Sequence, residues 1–192
     1  MKKALSILLV LLLALSVLPA GALAAEAKVV MSPQNLRADG KTIACEKYNI
    51  DGSNYFKLRD VAMVLSATGS CFSVNWDGEK KVISVVTGEA YTPNGSELDL
   101  SGGDKSASAV PSTQTLLING IERSDLSAYN IGGNNYFKLR DLGDALGFEV
   151  DYDKETNTAI IRSRVLTDPK PWLTVESYYT DGRDTYEHTV AT

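Results

Sequence analysis

The sequence predicts an α+β fold built from two tandem repeats, each a small antiparallel sheet wrapped around one short helix (ββαββ), followed by a C-terminal β-hairpin. The phrase YNIDGSNYFKLRD begins at Tyr48 and returns as YNIGGNNYFKLRD at Tyr129, with 11 of 13 positions identical. Alternating, strand-like runs separated by turn dipeptides surround each copy. Apolar residues at helical spacing follow each copy.

The N-terminus has the pattern of a secretory signal peptide over residues 1–25. Lys2 and Lys3 precede an uninterrupted apolar run, and small residues follow it. The run is about 15 residues long, which is short for a transmembrane helix. We therefore expect cleavage after Ala24 or Ala25 and a mature protein, without a membrane span, that is secreted or lies at the extracellular cell surface.

The mature protein is expected to be mildly acidic. Loss of Lys2 and Lys3 with the leader leaves 17 Lys and Arg against 24 Asp and Glu, so the formal net charge changes from −5 to −7. Binding of nucleic acid requires a basic stripe that neutralises phosphates. The composition therefore argues against a nucleic-acid partner.

The first repeat is predicted over residues 26–91 and the second over residues 113–165. Each opens with a two-stranded ribbon, because the dipeptides Asp39–Gly40 and Asn119–Gly120 suit a tight hairpin turn between strands. The shared phrase then adds a second turn and a short strand. Two further alternating runs close each repeat after its helix.

The two helices are predicted over residues 57–66 and 138–147, where the apolar period changes from two to about 3.6. Gly147 stands where a left-handed C-cap would end the second helix. The helical residues expected to be most buried are Leu58, Leu65, Leu139 and Leu146.

The remaining segments are predicted to be a linker and a tail. Residues 92–112 are rich in Gly, Ser and Pro, which is typical of a flexible linker, so the repeats are expected to be joined but separate. Residues 166–192 contain two alternating runs around Asp181–Gly182 and predict the terminal hairpin.

The hairpin dipeptides, the segment YFKLRDLGDALGFEVDYDKETNTAIIRS and its partial earlier copy resemble the stalk domain found at the N-terminus of some copper amine oxidases and in exported proteins of Gram-positive bacteria. The likeness covers residues 34–165. It implies a small sheet around one helix and a non-catalytic extracellular module, because that domain does not hold the copper. Phe56–Lys57 and Phe137–Lys138 depart from the family pattern, as does an insert at residues 67–71.

Neither a metal centre nor a catalytic set is predicted. One histidine, His188, and two cysteines are too few for a copper or zinc centre, so no copper and no other cofactor is expected. The segment DYDKETN spaces Asp151, Asp153 and Glu155 like a calcium loop but has Thr156 where Gly is required. No GxSxG or HExxH motif occurs, and no enzymatic activity is predicted.

Charged residues recur at the start of both helices, as Arg59 and Asp60 and again as Arg140 and Asp141. An arginine fork can bind a carboxylate or a phosphate. A structural role is favoured, because Asp in a first helical turn complements the helix dipole and the Arg stem packs on its neighbours.

Cys45 and Cys71 both belong to the first repeat, Cys71 within the insert. In an exported protein this pattern suits a disulfide that closes the insert onto the sheet. Two separate thiols are the alternative.

Aromatic and amide residues of the shared phrase are the best candidates for a binding surface. Rings can stack on a sugar and amides can bond to its hydroxyls, although aromatics in short strands also pack small cores. The candidates are Tyr48, Asn54, Tyr55, Tyr129, Asn135 and Tyr136.

The predicted function is that of a non-enzymatic structural or interaction module, secreted or in the cell envelope, that binds cell-wall polymer or a partner protein. A duplicated unit can present one weak site twice and so gain avidity. The alternative is a small secreted hydrolase or an accessory subunit of an extracellular enzyme.

Overall fold

The computed structural model describes residues 27–164 and the backbone of residues 175–180 and 185–190. The architecture is α+β with mostly antiparallel sheets, which confirms the predicted class. The predicted signal peptide lies outside the described residues. None of the described helices is long and apolar enough to cross a membrane.

Two α-helices, one short 3-10 helix (Ser106–Ser108) and sixteen strands occur in these ranges. The α-helices are α1 (Leu58–Leu65) and α2 (Leu139–Leu146). The strands are β1 (Val29–Met31), β2 (Asn35–Ala38), β3 (Lys41–Ile43), β4 (Lys47–Ile50), β5 (Ser53–Lys57), β6 (Phe72–Asp77), β7 (Val82–Thr87), β8 (Val110–Pro111), β9 (Thr115–Ile118), β10 (Ile121–Glu122), β11 (Ala128–Ile131), β12 (Asn134–Lys138), β13 (Glu149–Asp153), β14 (Thr158–Arg162), β15 (Val175–Thr180) and β16 (Thr185–Val190).

The turns and helix ends follow their local sequence. Both residues of Asp39–Gly40 and of Asn119–Gly120 have positive φ, which confirms the predicted tight turns. Gly147 has a φ of 77° and ends α2 in the left-handed conformation, as predicted. The predicted helix positions are confirmed to within one residue at each end.

The central sheet has the order β1-β4-β5-β12-β11-β8 and is antiparallel throughout. At its centre β5 pairs with β12, and Phe56 lies opposite Phe137. Both copies of the shared phrase therefore belong to one continuous sheet.

Two four-stranded flanking sheets combine strands from both parts of the chain, in the orders β10-β9-β7-β6 and β13-β14-β2-β3. In each, the hairpin that opens one predicted repeat adds to the hairpin that closes the other, through the parallel pairs β7–β9 and β14–β2. The separate sheets predicted for the two repeats do not form. Either opening hairpin can hydrogen-bond to the edge strand of either closing hairpin, because both opening hairpins carry the same alternating pattern.

One apolar core joins the two α-helices, the central sheet and both flanking sheets. The burial predicted for four leucines is confirmed, with Leu65 fully buried and Leu58, Leu139 and Leu146 between 3% and 5% exposed. A second, smaller cluster lies in the central sheet and contains Tyr48, Ile50, Tyr55, Ile131 and Tyr136.

The segment predicted to be a linker packs on the core instead. Val110–Pro111 pairs with β11 as the edge strand β8. Lys57 Nζ donates to Ser96 O at 2.9 Å, and Leu98 N donates to Asp60 Oδ1 at 3.0 Å. These contacts tie the segment to both parts of the chain.

The tail contains the predicted hairpin, because β15 and β16 pair in antiparallel register. The side chains of these strands, including His188, lie outside the described part of the structure, as do the residues that connect them.

Candidate functional site

Three of the four repeated tyrosines lie in the interior. Tyr48 and Tyr136 are fully buried, Tyr55 is 4% exposed and Tyr129 is half-buried. Their rings pair edge to face, Tyr48 with Tyr136 at 5.3 Å and Tyr55 with Tyr129 at 5.4 Å between centroids. The predicted stacking surface is therefore wrong for Tyr48, Tyr55 and Tyr136, since strand alternation puts Tyr48 on the buried face of β4 with Ile50. Tyr129 lines a cleft beside Phe137 and stays a candidate.

Glu46, which the sequence analysis missed, joins one tyrosine pair. The residue is 4% exposed and accepts a hydrogen bond at 2.7 Å from each hydroxyl, Tyr48 on Oε1 and Tyr136 on Oε2. Lys105 Nζ lies 3.6 Å from Oε1. Burial, followed by the hydrogen bond to Glu46, raises the pKa of both tyrosines. Ser127 lies at the matching position of the second copy, so Glu46 is not a repeated residue and the repeat does not identify it.

Two clefts lie where the two copies of the shared phrase meet, and they occupy matching positions. Cleft 1 combines the start of α1 and strand β6 with residues 133–135 of the second copy, where the turn leads into β12. Cleft 2 combines the start of α2 and strand β13 with residues 52–54 of the first copy, where the turn leads into β5. Their volumes are about 330 Å³ and 480 Å³. Each cleft is therefore completed by residues of both copies.

Each cleft contains one exposed aromatic side chain. Trp76 in cleft 1 is 45% exposed, and Tyr152 in cleft 2 is 42% exposed. They follow Val74 and Val150 by two residues in β6 and β13. An aromatic face left open in a concave polar site is available for stacking on a ligand.

The predicted binding residues Asn54 and Asn135 do reach the clefts, Asn54 in cleft 2 and Asn135 in cleft 1. Both amide oxygens accept a serine hydroxyl, from Ser32 at 2.8 Å and from Ser112 at 3.1 Å. Gln114 also lines cleft 1, and its Oε1 is buried without a hydrogen-bond partner among the described residues. Amides in the clefts thus have fixed positions, and one retains unused bonding capacity.

The two arginines have equivalent anchors at the cleft walls. Arg59 Nη1 donates to Val74 O at 3.4 Å, and Arg140 Nη1 donates to Val150 O at 3.2 Å. These contacts fix the guanidinium against the neighbouring strand, as expected for a structural role. Arg140 is exposed and lines cleft 2, so the same group is also open to a ligand there.

The two helix-start aspartates differ in environment. Asp60 is 2% exposed and lies 3.0 Å from Lys57 Nζ. Burial raises the pKa of the Asp60 carboxyl, although the Leu98 N–H and Lys57 oppose the shift. Asp141 is half-buried and lines cleft 2. The positions that the sequence repeats therefore carry a buried ion pair in one copy and an accessible carboxylate in the other.

The predicted disulfide does not form, because Cys45 and Cys71 are both free thiols. Cys45 is 5% exposed in the apolar core, where burial raises its pKa to about 11. Cys71 lies in the loop after α1, where its carbonyl accepts a hydrogen bond from Gly88 N at 2.8 Å. The loop is held to the sheet by its backbone instead of by a sulfur bridge.

Within the described ranges, no group of three or more His, Cys, Asp and Glu residues is placed to hold a metal ion. Asp153 accepts hydrogen bonds from the backbone N–H groups of Glu155 and Thr156, and thereby closes the turn between β13 and β14. The calcium-like spacing noted in the sequence is thus used by a hairpin turn.

Both clefts present groups suited to recognition: an aromatic ring, amides and an arginine in a concave surface. Comparison with models of protein families, with curated proteins and with solved structures found no match. What the protein does is therefore inferred from the clefts themselves.

Proposed function

We propose that this protein is a non-enzymatic, exported module of the cell envelope that binds a cell-wall glycan in cleft 1. The observation that carries the proposal is the exposed indole of Trp76 within a cleft lined by several amide side chains. A sugar ring has one apolar face that can stack on an indole and a rim of hydroxyls that bond to amides.

The polar groups of cleft 1 are suited to hydroxyls. Asn134 and Asn135 stand on one wall, Asn75 on another, and the amide of Gln114 has an oxygen without a protein partner. A buried polar group without a partner costs free energy, so a hydroxyl that reaches Gln114 gains the bond that the protein leaves open. Lys57 is neutralised by Asp60, so the charge that remains in the cleft is that of the half-buried Arg59, which donates hydrogen bonds to Val74 O and to the Tyr91 hydroxyl.

We further propose that the two parts of the chain are copies of one ββαββ unit that have exchanged their opening hairpins. Matching hydrogen bonds support this, because Ser32 N donates to Lys47 O and Ser112 N donates to Ala128 O, both at the same point of the repeated sequence. The resemblance to the stalk domain of exported Gram-positive proteins, together with the leader pattern, is the basis for placing the protein in the envelope.

Sedimentation with insoluble cell-wall material tests the proposed function. Purified mature protein is mixed with the wall, and the bound fraction is measured for the wild type, Trp76→Ala and Ile121→Ala. Ile121 is 68% exposed and lies outside both clefts. Ile121→Ala therefore serves as the control, because like Trp76→Ala it removes an exposed apolar side chain. We expect the wild type and Ile121→Ala to sediment and Trp76→Ala, with an unchanged circular dichroism spectrum, to remain in the supernatant.

Two results would reject glycan binding in cleft 1. One is equal recovery of the wild type in the supernatant with and without wall material. The other is undiminished sedimentation of Trp76→Ala. Release of soluble fragments from the wall by the wild type would reject the non-enzymatic assignment.

A further inference from the structure

We propose that cleft 2 binds a short, turn-forming peptide segment of a partner protein, in the same way that residues 91–98 of this chain cover the start of α1. This site goes beyond the glycan site proposed for cleft 1. It rests on a comparison of two matching places in one molecule, of which one is covered by a peptide and the other is open.

The covered place shows how the peptide is held. Lys57 Nζ donates to Ser96 O at 2.9 Å, and Asp60 Oδ1 accepts from Leu98 N at 3.0 Å. Both contacts are made to peptide backbone. A lysine and an aspartate one helical turn apart therefore bind a peptide through one backbone carbonyl and one backbone N–H. These two contacts do not depend on the side chains of the peptide.

An aromatic residue anchors the covering segment. Tyr91 is 6% exposed, and its hydroxyl accepts a hydrogen bond from Arg59 Nη1 at 3.3 Å while donating to Glu97. Glu97 also accepts the backbone N–H groups of Asn94 and Gly95, which closes the turn. The bound segment is thus a tyrosine, a turn and a glutamate that caps the turn.

The three types of side chain that bind the covering segment, a lysine, an arginine and an aspartate, recur at cleft 2. Lys138, Arg140 and Asp141 stand in the second copy of the phrase where Lys57, Arg59 and Asp60 stand in the first. All three line cleft 2, and none of the described residues covers them as residues 91–98 cover α1.

Lys138 and Asp141 do not pair with each other as Lys57 and Asp60 do. Lys138 Nζ lies 6.0 Å from the centroid of the Tyr55 ring, and no ion pair joins it to Asp141 in residues 27–164. Cleft 2 is also larger than cleft 1, about 480 Å³ against 330 Å³, and Asn94 and Ser96 of the covering segment are among the residues that line cleft 1. A bound peptide would supply a carbonyl for Lys138 and an N–H for Asp141, as Ser96 and Leu98 do for Lys57 and Asp60.

The experiment uses the intact mature protein and a labelled synthetic peptide, AYTPNGSELDL, which reproduces residues 90–100. Fluorescence anisotropy is expected to show saturable binding to one site. Asp141→Ala should weaken that binding at least about tenfold, the size expected for a charge-assisted hydrogen bond. Asp144→Ala makes the same charge change on an exposed position of the same helix and should leave the affinity unchanged.

A second peptide tests the backbone contact itself. Methylation of the nitrogen that corresponds to Leu98 removes the N–H that Asp141 is expected to accept, and should weaken binding about as much as Asp141→Ala does. The proposal is overturned by the absence of saturable binding at millimolar peptide, or by equal affinities of the Asp141 and Asp144 variants. Loss of wall sedimentation in Asp141→Ala, without loss of peptide binding, would also overturn it and would assign cleft 2 to the polymer. The Trp76→Ala result is independent, so failure at one cleft is distinguishable from failure at the other.

Discussion

The hydroxyl of Tyr136 lies 2.7 Å from the carboxylate of Glu46, 90 residues earlier in the chain. The same carboxylate accepts the hydroxyl of Tyr48, so one buried acid connects the two copies of the shared phrase. A polar group in this position fixes how the copies meet, because its partners come from both.

Glu46→Ala should lower the free energy of unfolding by about 3 kcal/mol, because two buried hydroxyls lose their acceptor and Lys105 loses its partner. Glu122→Ala removes an exposed carboxylate in β10 and should change stability by less than about 0.5 kcal/mol. Urea unfolding followed by circular dichroism measures both. Equal losses in the two variants would contradict the buried role of Glu46.

Lys57→Ala and Lys138→Ala form a matched pair at equivalent positions. Lys57 and Asp60 have side chains that are only 4% and 3% exposed, so removal of the lysine leaves a buried carboxylate and should cost about 3 kcal/mol. Lys138 is half-buried and makes no ion pair in the described structure, so its loss should cost less than about 1 kcal/mol. A larger loss for Lys138→Ala would show that the two environments have been assigned the wrong way round.

Leu146→Ala should cost about 2 to 5 kcal/mol, because it leaves a cavity beneath α2 in the apolar core. Asp144→Ala, on the exposed side of the same helix, should cost less than about 0.5 kcal/mol. Thermal unfolding of both variants checks that α2 faces the core as described. A loss for Leu146→Ala as small as that of Asp144→Ala would disprove it.

Alkaline pH should destabilise the protein through its buried tyrosines. Burial, and then the hydrogen bond to Glu97, raises the pKa of Tyr91 to about 12, and the pKa values of Tyr48 and Tyr136 are also raised. An unfolded tyrosine loses its proton near pH 10, so above that pH the unfolded chain binds fewer protons and stability falls as pH rises. Tyrosinate absorbance of these residues should therefore appear together with loss of the circular dichroism signal. Their ionisation near pH 10 in a protein that stays folded would be the contrary result.

The two thiols should react at different rates. Cys45 is 5% exposed and its pKa is raised to about 11 by burial, whereas Cys71 is half-buried in a loop. A brief treatment of the native protein with iodoacetamide should add one label, and treatment in urea should add two. Intact mass and peptide mapping identify the labelled residue. Two labels on the native protein, or none in urea without reductant, would contradict the free and unequal thiols.

The local features of the fold could be predicted because they depend on neighbouring residues. The tight turns follow from Asp39–Gly40 and Asn119–Gly120, and the end of α2 follows from Gly147. The pairing of each opening hairpin with the closing hairpin of the other part could not be predicted in this way. An opening hairpin of either part offers the same edge to β7 and to β14, so a pattern of alternation does not choose between partners far apart in sequence.

The candidate site was only partly accessible to sequence reasoning. The repeat predicts Tyr48 and Tyr136 as binding residues, yet Tyr48 shares the buried face of β4 with Ile50 and belongs to the core. Trp76 and Tyr152 occupy matching positions but differ in identity, so the repetition of identical residues does not predict them. Their shared property is an exposed ring, which depends on the packing of the finished molecule.

The parallel pairing of β2 with β14 also sets the order of events during synthesis. Asp39 accepts hydrogen bonds from Ser163, 124 residues later, so the opening hairpin has no sheet to join until almost the whole of residues 27–164 has left the ribosome. Contacts of such long range slow folding. A chain that cannot complete its first sheet early stays unfolded for longer, which is compatible with the export proposed above.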